Sequence, residues 1–154
     1  MSYVQRVLQP GETLIYATRL HWLVYARGLG LLIVAVVSAA LASRVETAEL
    51  RMLFWAGAGG LFVLAVIAGV AGALRRASTE LAVTDHRVIY KRGIVGRYTI
   101  EMARSKVESV DVVQSFLGRM FNFGTILVRG TGGTLEPFRD VEDPLRLRSA
   151  IIAQ

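Results

Sequence analysis

Two uncharged apolar runs near the start of the chain constrain its fold more than any other feature. Met52 to Leu74 is 23 residues without a charge, and Gly28 to Ser43 is another 16. A helix of 23 residues is about 34 Å long, enough to cross a hydrocarbon core of roughly 30 Å. Eight residues, 44–51, separate the runs. The pattern predicts a membrane hairpin over 22–74, with spans at about 22–43 and 52–74 and a turn at 44–51.

Basic residues are distributed unevenly around the two predicted spans. Eight lie outside the hairpin turn and two lie in it: Arg6, Arg19, Arg27, Arg75, Arg76, Arg87, Lys91 and Arg92 against Arg44 and Arg51. An excess of Lys and Arg marks the cytoplasmic side of a membrane. We therefore expect the N-terminal segment 1–21 and the C-terminal domain 77–154 to be cytoplasmic. The net charge of +6 is then explained by topology and anionic lipid, without nucleic-acid binding.

Aromatic residues lie at the ends of both predicted spans. Trp22 and Tyr25 lie at the inner end of the first, and Phe54 and Trp55 at the outer start of the second. Such amphipathic rings favour headgroup depth, so we expect these four to be membrane-interface anchors.

Small residues recur at every fourth position inside the spans, as Ala35, Ala39 and Ser43 and as Ala65, Gly69 and Ala73. Small residues let helix backbones approach closely in lipid. We interpret the stripes as packing within the hairpin; contact with another membrane subunit is the alternative.

The soluble part has the pattern of a small antiparallel β-domain closed by a helix. Short apolar runs alternate with turn residues, which predicts strands at 79–84, 87–92, 94–101, 106–113, 125–129 and 134–139. Residues 116–123 do not alternate and suit a short helical turn or compact loop. Asp143-Pro144 then predicts an N-cap acceptor and a proline at the first helical position, opening a helix at about 144–153. The strand count predicts a barrel or strongly bent sandwich.

Several local strings, in this order around a two-helix hairpin, resemble those of bacterial membrane proteins with a pleckstrin-homology-like (PH-like) domain of the second bacterial type. The strings are Leu8-Gln9-Pro10-Gly11-Glu12, His21-Trp22, Leu81-Ala82-Val83-Thr84-Asp85-His86-Arg87-Val88-Ile89, Gly93-Ile94-Val95-Gly96-Arg97, Gln114-Ser115-Phe116-Leu117-Gly118-Arg119, Phe123-Gly124-Thr125-Ile126, Gly130-Thr131-Gly132-Gly133 and Pro137-Phe138. The resemblance implies two roughly orthogonal sheets, a closing C-terminal helix, a bacterial inner-membrane location and no catalytic chemistry.

Motifs for catalysis and cofactor binding are absent from the sequence. The Gly130–Gly133 run lacks the lysine and the following helix of a phosphate-binding loop. Cysteine is absent, which excludes thiolate chemistry, and we expect His21 to be interfacial and His86 to be solvated in a turn. In the acidic cluster Asp140, Glu142 and Asp143 we interpret Asp143 as a helix cap and the other two as acids favoured by the helix dipole; a cation site is the alternative. The sequence therefore predicts a non-enzyme without cofactor, metal or small-molecule substrate.

Two groups of residues are candidates for binding. The first is basic and is a possible contact for anionic lipid headgroups: Arg75, Arg76, Lys91 and Arg92. Eukaryotic PH domains bind phosphoinositides near a different hairpin, so that site does not carry over. The second is apolar and either plugs the barrel, rests on the membrane or binds a partner: Phe116, Leu117, Met120, Phe121 and Phe123.

The favoured hypothesis is a membrane-anchored scaffold that recruits, assembles or stabilises a membrane protein complex at the cytoplasmic face. Its expected partners are membrane lipids and other membrane proteins or a second copy of the chain. The alternative is a module that senses anionic lipid through the basic group. Salt should weaken headgroup binding by exposed arginines, whereas an apolar protein interface should resist it.

Overall fold

The computed structural model describes Val4 and residues 7–93, 96, 98–131 and 135–153, except the side chain of Leu135. Within these residues the chain forms two units. One comprises Met1–His21 with Arg75–Gln154 and the other comprises Trp22–Leu74. The expected strand start at Ile94 and the Gly132-Gly133 turn lie outside the described residues.

The helical unit contains a long helix, α1 (Ala26–Ala42), and most of a second, α2 (Ala48–Ser78). Helix α1 follows a 3₁₀ turn at Trp22–Tyr25. Trp22–Ala42 and Ala48–Ser78 are long and apolar enough to cross a membrane. Most of their large apolar side chains are exposed, including Val36, Met52 and Leu53.

The helices of the hairpin pack through small residues spaced seven apart. The buried positions are Gly28, Ala35 and Ala42 in α1 and Ala58, Ala65 and Gly72 in α2. A Cβ added at Gly28 would lie 3.0 Å from the Gly69 backbone nitrogen, and one added at Gly72 would lie 3.0 Å from the Val24 oxygen. A seven-residue repeat keeps one seam facing the partner helix.

The four-residue stripes expected from the sequence are therefore only partly correct. Ala35 and Ala65 are buried, but Ser43 and Ala73 are exposed. A four-residue step advances about 400° around a helix, so a stripe at that spacing drifts away from the seam after two turns.

In its described residues, the other unit contains seven strands in two antiparallel sheets. The first sheet has the order β1 (Leu14–Arg19), β2 (Glu80–Thr84), β3 (Arg87–Arg92) and β4 (Tyr98–Ala103). After a 3₁₀ turn at Arg104–Lys106 comes the second sheet, with the order β5 (Val107–Val113), β6 (Phe123–Gly130) and β7 (Leu135–Glu142). Helix α3 (Phe116–Met120) joins β5 to β6, and α4 (Pro144–Ile152) ends the unit.

The strand ahead of the hairpin, β1, was not predicted. It pairs antiparallel with β2, with Arg19 opposite Glu80 and Ala17 opposite Ala82. The segment 1–21, expected to be separate from the β-domain, thus supplies that domain with an edge strand.

The core lies between the two sheets and α4. It contains alternate residues of the strands and one face of the helix: Leu81, Val83, Val88, Tyr90, Val110, Ile126, Val128, Phe138, Val141, Leu147 and Ile151. The predicted inward face of α4 is confirmed, because Leu147 and Ile151 are buried and Ala150 packs against the core. Two sheets with a closing helix are the PH-like arrangement expected from the sequence.

Candidate functional site

Glu12 joins two of the strings that carried the family resemblance. Its carboxylate accepts hydrogen bonds from Arg87 Nε at 2.9 Å and Nη2 at 2.8 Å, and from Thr84 Oγ1 at 2.7 Å. The Gln9 amide donates to the same carboxylate at 2.8 Å. This group of Glu12, Thr84 and Arg87, here named the clasp, ties the N-terminal segment to the β2–β3 turn.

The ion pair in the clasp stabilises the charged forms of both Glu12 and Arg87. The Arg87 guanidinium lowers the pKa of Glu12 from its ordinary 4.5 to about 2, although burial opposes this change. The same hydrogen bond raises the pKa of Arg87, which also forms an ion pair with Glu101 at 2.6 Å. A bidentate arginine–carboxylate pair is among the stronger side-chain interactions. We assign these residues a structural role.

The turn beside the clasp has a second polar connection. Thr13 and Asp85 exchange hydrogen bonds, from the Thr13 amide to Asp85 Oδ1 at 3.0 Å and from the Asp85 amide to the Thr13 carbonyl at 3.1 Å. His86 lies next to Asp85 and its side chain is 72% exposed. The solvated position expected for His86 is confirmed.

The basic residues proposed for lipid contact have different neighbours. Arg92 hydrogen-bonds to Tyr90, and both Arg92 and Arg75 act on the Tyr90 pKa, which burial raises. Lys91 lies on the opposite face of β3, because successive strand residues alternate. Arg76 lies 4.0 Å from Glu142. Tyr90 is therefore a neighbour that Arg75 and Arg92 share.

The apolar residues around α3 form an exposed surface, here named the α3 surface. Phe116 is 81% exposed, and Met120, Leu117 and Phe121 are 59%, 52% and 40% exposed. This excludes these four as a plug of the barrel, since a plug would be buried. Phe123 differs from them in being half-buried.

Hydrogen bonds hold α3 in place beneath this surface. Ser115 caps the helix by accepting from the Gly118 amide at 3.1 Å. Gln114 Nε2 donates to the carbonyls of Gly118 and Phe123 at 3.2 and 3.0 Å. Gly118 is buried, and a Cβ added there would lie 2.7 Å from the Phe123 oxygen. Gln114, Ser115 and Gly118 in this sequence string therefore all serve to hold α3 in place.

His21 lies directly beside the α3 surface. Its ring stacks on Phe123 with centroids 5.2 Å apart, and its amide donates to the Asp140 carbonyl at 2.8 Å. It is 4% exposed, and burial lowers its pKa, although a hydrogen bond with the Phe121 backbone opposes that change.

A groove lies along β5, beside the end of α4. It has a volume of about 460 Å³, and Ser109, Glu108, Arg104 and Ile152 are among the residues that line it. The hydroxyl of Ser109 is itself buried, without a hydrogen-bond partner among the described residues. Nothing in the sequence marked this groove, because it depends on how α4 meets the edge strand.

The acidic cluster before α4 agrees only in part with the prediction. Asp143 occupies the N-cap position and Pro144 opens the helix, as expected. The Asp143 side chain makes no capping hydrogen bond, because its backbone is left-handed with φ of 50°. Among the described residues, acidic and histidine side chains form no group of three that could hold a metal ion.

The expected interface anchors belong to the helical unit. Trp22 is 45% exposed and Trp55 is 56% exposed, while Tyr25 and Phe54 are half-buried. Both indoles are accessible for the contact with a membrane interface that the sequence predicts.

The sequence model of the bacterial PH domain family matches residues 15–154. The match begins within β1 and runs through both long helices to the end of α4. The chain therefore belongs to the bacterial PH domain family. No curated protein and no solved structure matches it. Membership in this family indicates a non-catalytic binding module.

Proposed function

We propose that this protein is a non-catalytic binding module anchored in the bacterial cytoplasmic membrane. The hairpin spans the bilayer, and the PH-like domain at the cytoplasmic face recruits, assembles or stabilises a membrane protein complex. The two long apolar helices and the bias of basic residues support the anchor and its orientation. The partners are other membrane proteins or a second copy of this chain, together with lipid.

The observation that carries protein binding is the open edge of β5. This strand is paired on one side by β6 and is the edge of its sheet. Alternate residues of an edge strand direct N–H and C=O groups outward, where an extended segment can pair with them. The groove beside β5 provides space for the side chains of such a segment.

The groove along β1 is a weaker candidate, although its volume of about 560 Å³ is larger. The end of β1 already contacts the second sheet, through a bridge from Leu20 to Val141 and a hydrogen bond from Thr18 Oγ1 to the Glu142 carbonyl. Arg146 also lies over the Tyr16 ring, 5.5 Å from its centroid. These contacts already occupy part of the β1 edge.

The test uses a matched pair of variants on α4. Ile152 lines the β5 groove and is 52% exposed, whereas Leu145 is 53% exposed and lies outside the groove lining. Tagged full-length protein would be purified from its native membrane in mild detergent, and copurifying proteins identified by mass spectrometry. A stoichiometric partner should survive high salt and Leu145→Glu but be lost with Ile152→Glu. A partner set unchanged by Ile152→Glu would refute binding at this groove.

The second candidate function is anionic-lipid sensing by Arg75, Arg76, Lys91 and Arg92. The influence of both Arg75 and Arg92 on the buried Tyr90 favours it. Exposed arginines bind headgroups mainly through electrostatic attraction. Salt weakens this attraction, because the Debye screening length is only about 10 Å at 0.1 M ionic strength. Copurification of anionic lipid alone, lost in high salt and reduced by Arg75→Gln with Arg92→Gln, would support this function over scaffolding.

A further inference from the structure

The α3 surface presents its apolar side chains from a fixed support. Phe116, the most exposed of them, immediately follows the cap residue Ser115, and Met120 ends the same short helix. Arg119, which is also exposed, lies between them in sequence. A cluster of exposed, bulky apolar residues on a rigid support marks a surface that contacts a membrane or another protein.

The chain leaves the unit that contains the sheets at two points, and both points contact the same part of that unit, around Phe123 and Glu142. On the N-terminal side, His21 stacks on Phe123 and is followed directly by Trp22. On the C-terminal side, Arg76 reaches Glu142 at 4.0 Å, and Glu142 pairs with Phe123 across β7 and β6. If the spans begin at these points, covalent connection brings the α3 surface within a few residue lengths of the membrane boundary.

We propose that the α3 surface contacts the membrane in addition to the two spans. In this contact Phe116, Leu117, Met120 and Phe121 enter the boundary between headgroups and acyl chains. This inference rests on the proposed membrane anchoring. Burial of apolar side chains at that depth is favourable, and a neighbouring cation such as Arg119 adds attraction to anionic lipid. Phe123, half-buried against His21, supports the surface from behind.

The occupant is lipid because the surface lies next to both chain junctions. A membrane interface extends around the hairpin on every side and therefore reaches any surface held at its boundary. This contact would fix the tilt of the PH-like domain and thereby the direction in which the open edge of β5 faces.

The absence of cysteine allows a depth measurement with single labels. Spin-labelled Val63→Cys, Phe116→Cys and Ile152→Cys variants of the full chain would be reconstituted in vesicles of phosphatidylethanolamine with phosphatidylglycerol. Power-saturation EPR compares collisions with oxygen, which concentrates in the bilayer, and with a water-soluble nickel chelate. We expect the oxygen-to-nickel ratio to be highest at position 63, intermediate at 116 and lowest at 152.

The three positions separate failure of this inference from failure of the anchor. A high ratio at 63 with equal, low ratios at 116 and 152 would overturn the α3 contact and leave the anchor intact. A low ratio at 63 would overturn the anchor and this inference with it. A label at 116 that is water-exposed in vesicles but immobilised and shielded in native membranes would assign the surface to a protein partner, which also overturns it.

Discussion

Replacing Glu12 with glutamine should loosen the N-terminal strand from the PH-like domain. Glutamine keeps the size of the side chain but removes its charge, and the Arg87 guanidinium loses the carboxylate that binds it through two nitrogens. The Glu12 side chain is only 3% exposed and that of Arg87 16%. Removing one partner of a buried ion pair is more costly than the net value of the pair, and Arg87 would keep only its ion pair with the more exposed Glu101.

The pKa of Glu12 sets the expected size of the effect. Its fall from 4.5 to about 2 corresponds to about 3 kcal/mol of stabilisation, at about 1.4 kcal/mol for each tenfold change. This stabilisation is fully present above pH 4.5. It is lost as the pH falls from 4.5 towards 2, because the unfolded state then binds a proton that the folded state does not.

Native-state hydrogen exchange on the full-length protein in detergent measures this effect locally. Amides of β1 and β2 should exchange about a hundredfold faster in Glu12→Gln at pH 7, since about 3 kcal/mol is two decades in an opening equilibrium. In thermal unfolding, the difference between the wild type and Glu12→Gln should shrink from pH 7 to pH 3.

The matched controls are two other carboxylates of the same unit. Glu108→Gln removes an exposed charge from β5 and should leave exchange in β1 unchanged. Glu101→Gln removes the more exposed partner of Arg87 and should have a smaller effect than Glu12→Gln. Exchange in β1 that is the same in Glu12→Gln and Glu108→Gln, or a stability difference that does not depend on pH, would refute the role assigned to the clasp.

Three further variants test the packing of the hairpin, the core and the His21 corner. Gly28→Leu should destabilise the hairpin by about 1–3 kcal/mol, because the larger side chain overpacks against Gly69. Gly30 has open space around it, so Gly30→Leu should not destabilise the hairpin. Equal resistance of the two variants to SDS unfolding would contradict this. Leu147→Ala, at a fully buried position, should cost about 2–5 kcal/mol in urea unfolding, and a cost under 1 kcal/mol would be inconsistent with the core described. Burial lowers the His21 pKa, so stability should fall as the pH drops below about 6.5; His21→Phe should abolish that decline in thermal unfolding, and an unchanged decline would rule His21 out as its source.

Local patterns in the sequence were sufficient to predict most of the secondary structure of the β-domain. Alternation predicted residues 87–92 as a strand with the bounds observed, and the strand over 106–113 differs by one residue at its start. Asp143-Pro144 correctly predicted the start of α4. These elements follow from residues that are adjacent in the chain, and local chemistry specifies them.

The first strand could not be predicted in the same way. Leu14–Arg19 is a short run without a neighbouring hairpin partner, and its partner β2 lies some sixty residues away, beyond both long helices. Long-range pairing is decided by tertiary contacts, here the clasp between Glu12 and Arg87. The resemblance strings contained both residues, but a single sequence does not show that they meet.

The candidate site was predictable in composition but not in exposure. The sequence placed five apolar residues together at 116–123, yet could not distinguish a buried plug from an outward surface. That choice depends on Gly118 turning inward and on Gln114 bonding the two backbone carbonyls. Likewise, the separation of Lys91 from Arg92 follows from strand alternation once β3 is known.

The central claim is that the hairpin crosses the membrane and keeps the PH-like domain in the cytoplasm. Labelling of single cysteines with a membrane-impermeant maleimide in spheroplasts tests it directly, because the natural chain contains no cysteine. Thr47→Cys lies between the two long helices and Asp111→Cys lies on β5. We expect Thr47→Cys to react in intact spheroplasts and Asp111→Cys to react only after the membrane is disrupted. Reaction of Asp111→Cys in intact spheroplasts, or protection of both positions, would contradict the account.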